Sequence, residues 1–300
     1  MLINAIAFMH AWKFTHFSDA AQTRTTQDLS TPQKITILVT GVNNPRPALK
    51  SKPVIPYETL RIRSNVLLEA WLMETTNSKG TVLIFHGYGG EKSSMLDKAD
   101  IFIDLGYHVV LVDFMGSGGS EGNRTTIGYE EAREVRDVYR HMQGLGHHNI
   151  VLFGTSMGAV AIMKAISDYK ITPSSVIIEC PFGSLYETVA ARFRNQNIPA
   201  FPMAGLLVFW GGVQNGFNGF THNPRKWAER IHSPVLLMYG ERDDRVTRKE
   251  IDEIYQRLPS KKMLRTYPQA GHENYLLKHR PEWTRDVQEF LFVPGLANGK

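Results

Sequence analysis

An α/β fold, with a mainly parallel central sheet flanked by helices on both faces, is what this sequence predicts. Three observations carry that reading. Short runs rich in Val, Ile and Leu alternate with amphipathic stretches from the first third of the chain to its end, the pattern of strands buried on both faces between covering helices. The 300 residues are 42% hydrophobic, ample for one large core. No repeat, low-complexity tract or Gly/Ser linker marks an internal boundary, so residues 31–300 read as one domain behind an N-terminal extension of residues 1–30.

Taken in order, the apolar runs predict strands at Lys34 to Thr40, Tyr57 to Arg63, Val66 to Met73, Thr81 to Phe85, His108 to Phe114, Asn149 to Phe153, Ser175 to Glu179, Val235 to Tyr239 and Lys262 to Tyr267. The early ones have no helix between them and are expected to pair antiparallel at one edge. Amphipathic spacing predicts helices at Ser93 to Leu105, Gly128 to Met142, Met157 to Tyr169, Pro224 to Ile231, Arg248 to Leu258 and Asn274 to Phe292. Between Pro181 and Pro224 the alternation breaks into a stretch holding Phe182, Phe193, Phe201, Phe209, Trp210, Phe217 and Phe220. A segment of that size, residues 181–224, is expected to form a small aromatic-rich cap over the carboxyl edge of the sheet. Phe182, Phe209, Trp210 and Phe217 are the aromatics proposed to line a substrate pocket there, against the alternative that they pack the cap onto the body.

The extension is apolar from Met1 to Met9 and then carries Trp12, Phe14 and Phe17 among His10, Lys13 and His16. It is too short to span a bilayer and has no small-residue cleavage site, so neither a transmembrane helix nor a signal peptide is predicted. Aromatics beside a lysine suit a membrane interface, so peripheral membrane contact through residues 1–17 stands beside packing on the domain as a reading of this stretch. The net charge of +5 is spread among interleaved acidic residues, which gives no support to nucleic-acid binding. The single cysteine, Cys180, excludes an internal disulfide, fits a cytoplasmic setting, and reads as a small core thiol.

The chemistry centres on Gly154-Thr155-Ser156-Met157-Gly158, between the apolar run Ile150 to Phe153 and the small-residue helical run Ala159 to Ile166. A serine on a tight strand-to-helix turn has its hydroxyl thrust out of the sheet and its backbone forced into a sparsely populated conformation, which flanking glycines make possible. The G-x-S-x-G pattern alone arises by chance in roughly one such chain in ten. Indeed Gly118-Gly119-Ser120-Glu121-Gly122 fits it too, but three residues separate that match from its apolar run and no helix follows at once. Ser120 is therefore read as a loop serine and Ser156 as the candidate nucleophile.

This turn, the upstream His86-Gly87-Tyr88-Gly89-Gly90, Glu241-Arg242-Asp243-Asp244 after the run Pro234 to Gly240, and Gly271-His272 after the last strand together resemble the α/β-hydrolase superfamily. The resemblance is closest to bacterial members of its serine aminopeptidase and monoacylglycerol-lipase-like branch, and covers about residues 57–292. It implies an α/β-hydrolase fold and a nucleophile, acid and histidine in that chain order. The Gly-x-x-Asp spacing of the family falls on Asp243, with Asp244 as the alternative, and its Gly-His step falls on His272. It implies an oxyanion hole from the backbone amides of Tyr88 and Met157, a loop-orienting role for His86 and a structural one for Asp113.

The expected activity is a serine hydrolase that cleaves a carboxylic ester or thioester through an acyl-serine, with no cofactor and a small acyl substrate. An aminopeptidase or amidase, and a non-catalytic binding protein, are the alternatives on the same fold. Glu187 is the only carboxylate between Pro181 and Pro224, which disfavours a site for a substrate amine. His147-His148 lies at the opposite edge of the sheet with no further ligand at metal spacing, so no metal is expected.

Overall fold

The computed structural model describes residues 2–19 and 30–292; part of the extension and the last residues of the predicted domain lie outside the described residues. Two helices come first, α1 (Leu2–Thr15) and α2 (Thr31–Thr40). The sheet then begins with β1 (Glu58–Arg63), β2 (Leu67–Met73) and β3 (Thr81–Phe85), followed by α3 (Leu96–Asp104), β4 (His108–Val112), α4 (Glu131–Gly144), β5 (Ile150–Thr155), α5 (Met157–Tyr169) and β6 (Ser175–Glu179). After β6 come α6 (Leu185–Arg194), α7 (Met203–Asn215) and α8 (Pro224–Ala228), and the chain returns to the sheet with β7 (Val235–Gly240), α9 (Arg248–Arg257), β8 (Lys262–Tyr267) and α10 (Leu276–Phe292).

The eight strands lie in the order β1-β2-β4-β3-β5-β6-β7-β8. β1 pairs antiparallel with β2, which follows it with no helix between, and β2 pairs antiparallel with β4; the other pairings are parallel. Side chains alternate between the two faces. Leu83, Phe85, Val110, Leu152 and Leu237 pack under α4, α5, α8 and α9, whereas Val82, Ile84, Val109, Phe153 and Leu236 pack under α3 and α10. The order reverses about β3, which has β4 on one side and β5 on the other. In an open α/β sheet the loops at the carboxyl ends of such strands diverge and leave a crevice between them.

One sequence expectation is corrected here. Residues 34–40 lie in helix α2, although Ile, Val and Thr dominate the stretch and predict a strand. The residues ahead of the run decide it: Ser30 donates its amide to the Gln33 Oε1 at 2.9 Å, a proline sits in the first turn, and Gly41 ends the helix at φ 82°. The helix docks on α1, whose Lys13 ammonium reaches Thr40 Oγ1 at 2.9 Å and the Gly41 carbonyl at 3.1 Å. Helix-start signals and this docking outweigh a weak β propensity.

α6, α7 and the 3₁₀ turn Gly219–Thr221 form the cap between β6 and β7, and α1 lies along α7. Ala7, Ala11 and Thr15, one per turn, make the buried stripe of α1 and let the two helices approach closely. Trp210 donates its indole N–H to Asn4 Oδ1 at 3.2 Å and Gln214 donates to the Phe8 carbonyl at 2.8 Å. Leu2, Phe8 and Trp12 remain on the exposed side of α1. Among the described residues no helix is long and apolar enough to cross a membrane.

Buried polar clusters hold the loop after β4. Lys92 is fully buried, pairs with Glu69 at 2.8 Å and with Asp113, and lies over the Trp71 ring at 4.4 Å. On the other side Glu134 accepts from Asn65 at 2.7 Å and from the Met115 amide at 2.9 Å. Burial first and the neighbouring Glu131 second push the Glu134 carboxyl up to about 8. Between the ordinary carboxylate pKa and this value the folded state binds a proton that the unfolded chain has released, so stability falls as pH rises through that window. The melting temperature should therefore drop from pH 5 to pH 8.5, and Glu134→Gln should flatten the drop; an unchanged pH dependence in that variant contradicts the protonated state.

Candidate active site

β5 ends on Thr155 and α5 starts at Met157, leaving Ser156 alone in the turn with φ 52° and ψ −111°. That left-handed conformation is costly for a residue with a Cβ, and the surroundings enforce it. The Ser156 amide donates to the Glu179 carbonyl at 2.8 Å, and the start of α5 presses so closely on β3 that a Cβ at Gly158 would collide with the Phe85 carbonyl. Glycine is thus required where the helix crosses the strand.

The Ser156 hydroxyl lies 3.0 Å from His272 Nε2, and His272 Nδ1 lies 2.7 Å from Asp243 Oδ2. With Nδ1–H donating to the carboxylate, Nε2 is left to accept the serine proton. Asp243 sits in the turn after β7 and is itself fixed: its Oδ1 accepts the Arg245 and Val246 amides at 2.8 and 2.9 Å. Asp244 is exposed and makes no hydrogen bond to His272 among the described residues, and Glu241 accepts from Thr266 at 2.8 Å. The His272 loop approaches the end of β7 so tightly that a Cβ at Gly240 would lie 2.6 Å from the Ala270 and Gly271 carbonyls. Burial opposes charge on the His272 ring, but the Cys180 sulfur and the Asp243 carboxylate reverse the sign and hold its pKa above the ordinary histidine value.

Two backbone amides belong to the segments next to Ser156. That of Met157 begins α5, where the first N–H groups of a helix have no partner within it. That of Tyr88 belongs to the loop after β3, whose Gly87 backs onto Ser156: a Cβ there would sit 3.6 Å from the serine Cβ. Neither amide makes a hydrogen bond among the described residues. His86 is fully buried, donates from Nδ1 to the Gly87 carbonyl at 2.8 Å and accepts the Phe114 amide on Nε2 at 3.1 Å, so it orients this loop. Desolvation lowers its pKa and keeps it neutral.

The second serine match is structural. Ser120 is buried, donates to the Asp113 carbonyl at 2.7 Å and accepts the Glu69 amide at 2.8 Å, with no imidazole in reach. Two further residues escape sequence reasoning. Cys180, at φ 41° after β6, brings its sulfur near His272 and Asp243; ligand atoms of the three lie within 4.8 Å of one another, a spacing open to a cation, although Asp243 already engages His272 Nδ1. Glu179 accepts from Thr155 Oγ1 at 2.8 Å and from the Trp283 indole at 2.7 Å, tying the serine turn to α10. The one signal for Glu179 is a carboxylate closing an otherwise apolar strand.

An apolar cavity of about 240 Å³ lies beneath the cap, lined by Ala11, Phe14, Ile127, Leu185, Val208 and Phe217 among others. Of the four aromatics expected to line a pocket, only Phe217 is on its wall. Phe182 is buried against His222, Phe209 is exposed, and Trp210 is taken up by α1, where it meets Phe8 edge-on at 5.3 Å. α1, from the far end of the chain, supplies His10, Ala11, Phe14 and Thr15 to this wall and covers the Trp210 face of α7, while Phe209 joins Phe217 on the wall of a second cavity of about 570 Å³.

The family model of the S33 serine aminopeptidases matches residues 76–226, half of the chain, and the protein belongs to this family of α/β-hydrolases. Among curated relatives, the uncharacterized protein YqkD of Bacillus subtilis is 26% identical over 219 residues, covering 72% of each chain. The lysophosphatidylserine lipase ABHD12 of Gallus gallus is 22% identical over 247 residues, covering 75% of this chain and 62% of its own. Among solved structures, the esterase Pf2001 of Pyrococcus furiosus superposes with a TM-score of 0.69 at 24% identity, covering 83% of this chain and 98% of that one, which shows the shared fold.

The His272 pair makes a signed prediction. A base must be neutral, so kcat/KM for a nitrophenyl ester should rise with pH through an apparent pKa above 6.5. Asp243→Asn should move that limb to lower pH and cost ~10³–10⁴-fold in rate, while Asp244→Asn leaves the limb where it was. A limb that moves in the Asp244 variant and not in the Asp243 variant contradicts the assignment.

Proposed function

We propose that the protein is a serine esterase acting through an acyl-enzyme on Ser156. The observation that carries this reading is the continuous hydrogen-bonded series Ser156, His272, Asp243, with the serine in a strained turn beside two unpaired amides. His272 Nε2 takes the hydroxyl proton as Ser156 Oγ attacks the ester carbonyl carbon. The oxygen that gains negative charge is held by the Met157 and Tyr88 amides. Collapse breaks the bond to the alcohol, which leaves with the proton from His272. Water then adds to the acyl carbon, gives a proton to His272, and the acid departs as Ser156 regains its proton. Asp243 stays ionised throughout, orienting the imidazole and stabilising its charged form.

An ester fits the site better than a peptide. Glu187, the only carboxylate in the cap, is bound by Arg225 at 2.5 Å and is not free to hold an amine. The apolar cavity is smaller than the ~300–1,000 Å³ of drug-sized ligands, which suits a short to medium acyl chain. The lipase named among the relatives and the esterase fold support the same class of substrate.

A fluorophosphonate probe should label the wild type, and Ser156→Ala should abolish both labelling and ester turnover, by ~10⁴-fold or more. Ser120→Ala should lose stability by ~1–3 kcal/mol, since its buried partners are orphaned, yet keep labelling. Labelling that survives Ser156→Ala overturns the reading.

The cavity wall gives a separate test. Each added methylene of a fitting acyl chain gains ~0.8 kcal/mol by leaving water. Phe217→Ala should shift the preferred length toward longer chains, whereas Trp210→Ala should lower the melting temperature and keep the parent profile; the reverse outcome would place the acyl chain elsewhere.

A further inference from the structure

We propose that the cleft between the Tyr88 loop and the Asp243 turn is a subsite for an anionic alcohol, in which Arg192 and Arg245 bind a phosphate or carboxylate on the leaving group of the ester. The inference rests on the Ser156 esterase reading and names the substrate class for that site. The cleft, of about 660 Å³, is lined by Tyr88 and Gly89 on one side, Asp244 and Arg245 on another, and Arg192, Asn195 and Gln196 from the end of α6. Its two sides are the segments next to the reacting groups: Tyr88 follows Gly87, which backs onto Ser156, and Asp244-Arg245 follows Asp243, which holds His272.

Two guanidinium groups from different elements face this one space. Among the described residues neither has a carboxylate partner, whereas Arg225 of the same region is held by Glu187 and Glu253, both at 2.5 Å. Arg192 is fixed in place over the Phe14 ring at 4.0 Å, and Phe14 in turn stacks on Tyr88 at 4.6 Å. Stacking engages the flat face of the guanidinium and leaves its edge donors for an anion. Desolvation by its neighbours and the like charge of Arg245 lower the Arg192 pKa, against an opposing pull from Tyr88; the residue keeps an exposed surface, and an anion between the two arginines would offset their repulsion. Asn195 is anchored to the turn as well, donating to the Asp244 carbonyl at 2.7 Å, which ties the end of α6 to the acid loop.

The division of the site follows from its walls. His10, Phe14 and Arg192 line both this cleft and the apolar cavity, so the two spaces meet beside them. In this proposal an acyl chain occupies the apolar side and the charged alcohol the side with two arginines, with the ester carbonyl at the junction of the two next to the Tyr88 loop. Asp244 lines the same cleft, and the basic residues in the last turn of α6 also complement its helix dipole.

The test uses monobutyryl glycerol, monobutyryl glycerol phosphate and butyrylcholine on the full chain, with Arg192→Gln and Arg245→Gln. The phosphate ester should exceed the neutral one in kcat/KM by about tenfold or more, the preference should shrink as salt is raised, and each variant should cut the ratio of the two substrates by about tenfold. A preference for the choline ester, or a ratio that neither variant changes, overturns the subsite. Equal loss on both substrates in Arg192→Gln, with no change in Arg245→Gln, shows a packing role on Phe14 and overturns it too. A lysophospholipid with the same glycerol phosphate head, carried in phosphatidylcholine vesicles, distinguishes a lipid from a soluble ester; a preference for either leaves the subsite standing. Fluorophosphonate labelling runs alongside: an unlabelled wild type is a failure of the esterase reading, and a labelled one without anion preference is a failure of the subsite alone.

Discussion

Everything at the centre of this molecule depends on the turn at Ser156 being held in a conformation that a free chain would abandon. A left-handed serine costs on the order of 1–3 kcal/mol, and the fold has to supply that from elsewhere. It does so by closing β5, β3 and β6 around the turn. Gly158 lets α5 touch the Phe85 carbonyl, the Glu179 carbonyl captures the Ser156 amide, and the Glu179 side chain reaches Thr155 and Trp283. The same constraint sets Ser156 between the end of β5 and the unpaired first amide of α5, so the strained serine and the proposed oxyanion donor at Met157 belong to one turn.

The outer parts of the site are less self-contained. Asp243 and His272 come from loops after β7 and β8, and Gly240 sets how closely those loops approach. α1, outside the sheet, walls the apolar cavity and stacks Phe14 on Tyr88, whose hydroxyl donates to the Phe14 carbonyl at 2.9 Å. The loop proposed to hold the oxyanion is therefore braced by the N-terminal helix, which joins the apolar cavity to the hydrolase body through a segment far away in sequence.

What could be read from the residues follows the range of the interactions. The buried strands announce themselves because both faces need apolar side chains, and the strand, glycine-flanked serine and helix form one local unit of sequence. Ser120 could be set apart from Ser156 for the same reason, since its context lacks the immediate helix. Residues 34–40 misled because β-branched side chains speak for a strand while the helix is decided by Ser30, Gln33 and a contact with α1. Trp210 misled because composition says that a cap is aromatic but not which face another helix will cover. Cys180 and Glu179 gave no role away, as their neighbours Asp243, His272 and Trp283 lie about 60 to 100 residues downstream, and proximity of that kind is written only in the topology.

In the proposed mechanism Ser156 carries the acyl group between the two halves of the reaction. Rapid mixing of the protein with excess nitrophenyl butyrate, quenched in acid within the first turnovers and followed by mass measurement of its peptides, tests that most directly. A Ser156 acyl-enzyme gives a burst of nitrophenol of about one equivalent and a butyryl mass on the peptide that contains Ser156. Turnover with no burst and no adduct, or an adduct on another residue, would contradict it.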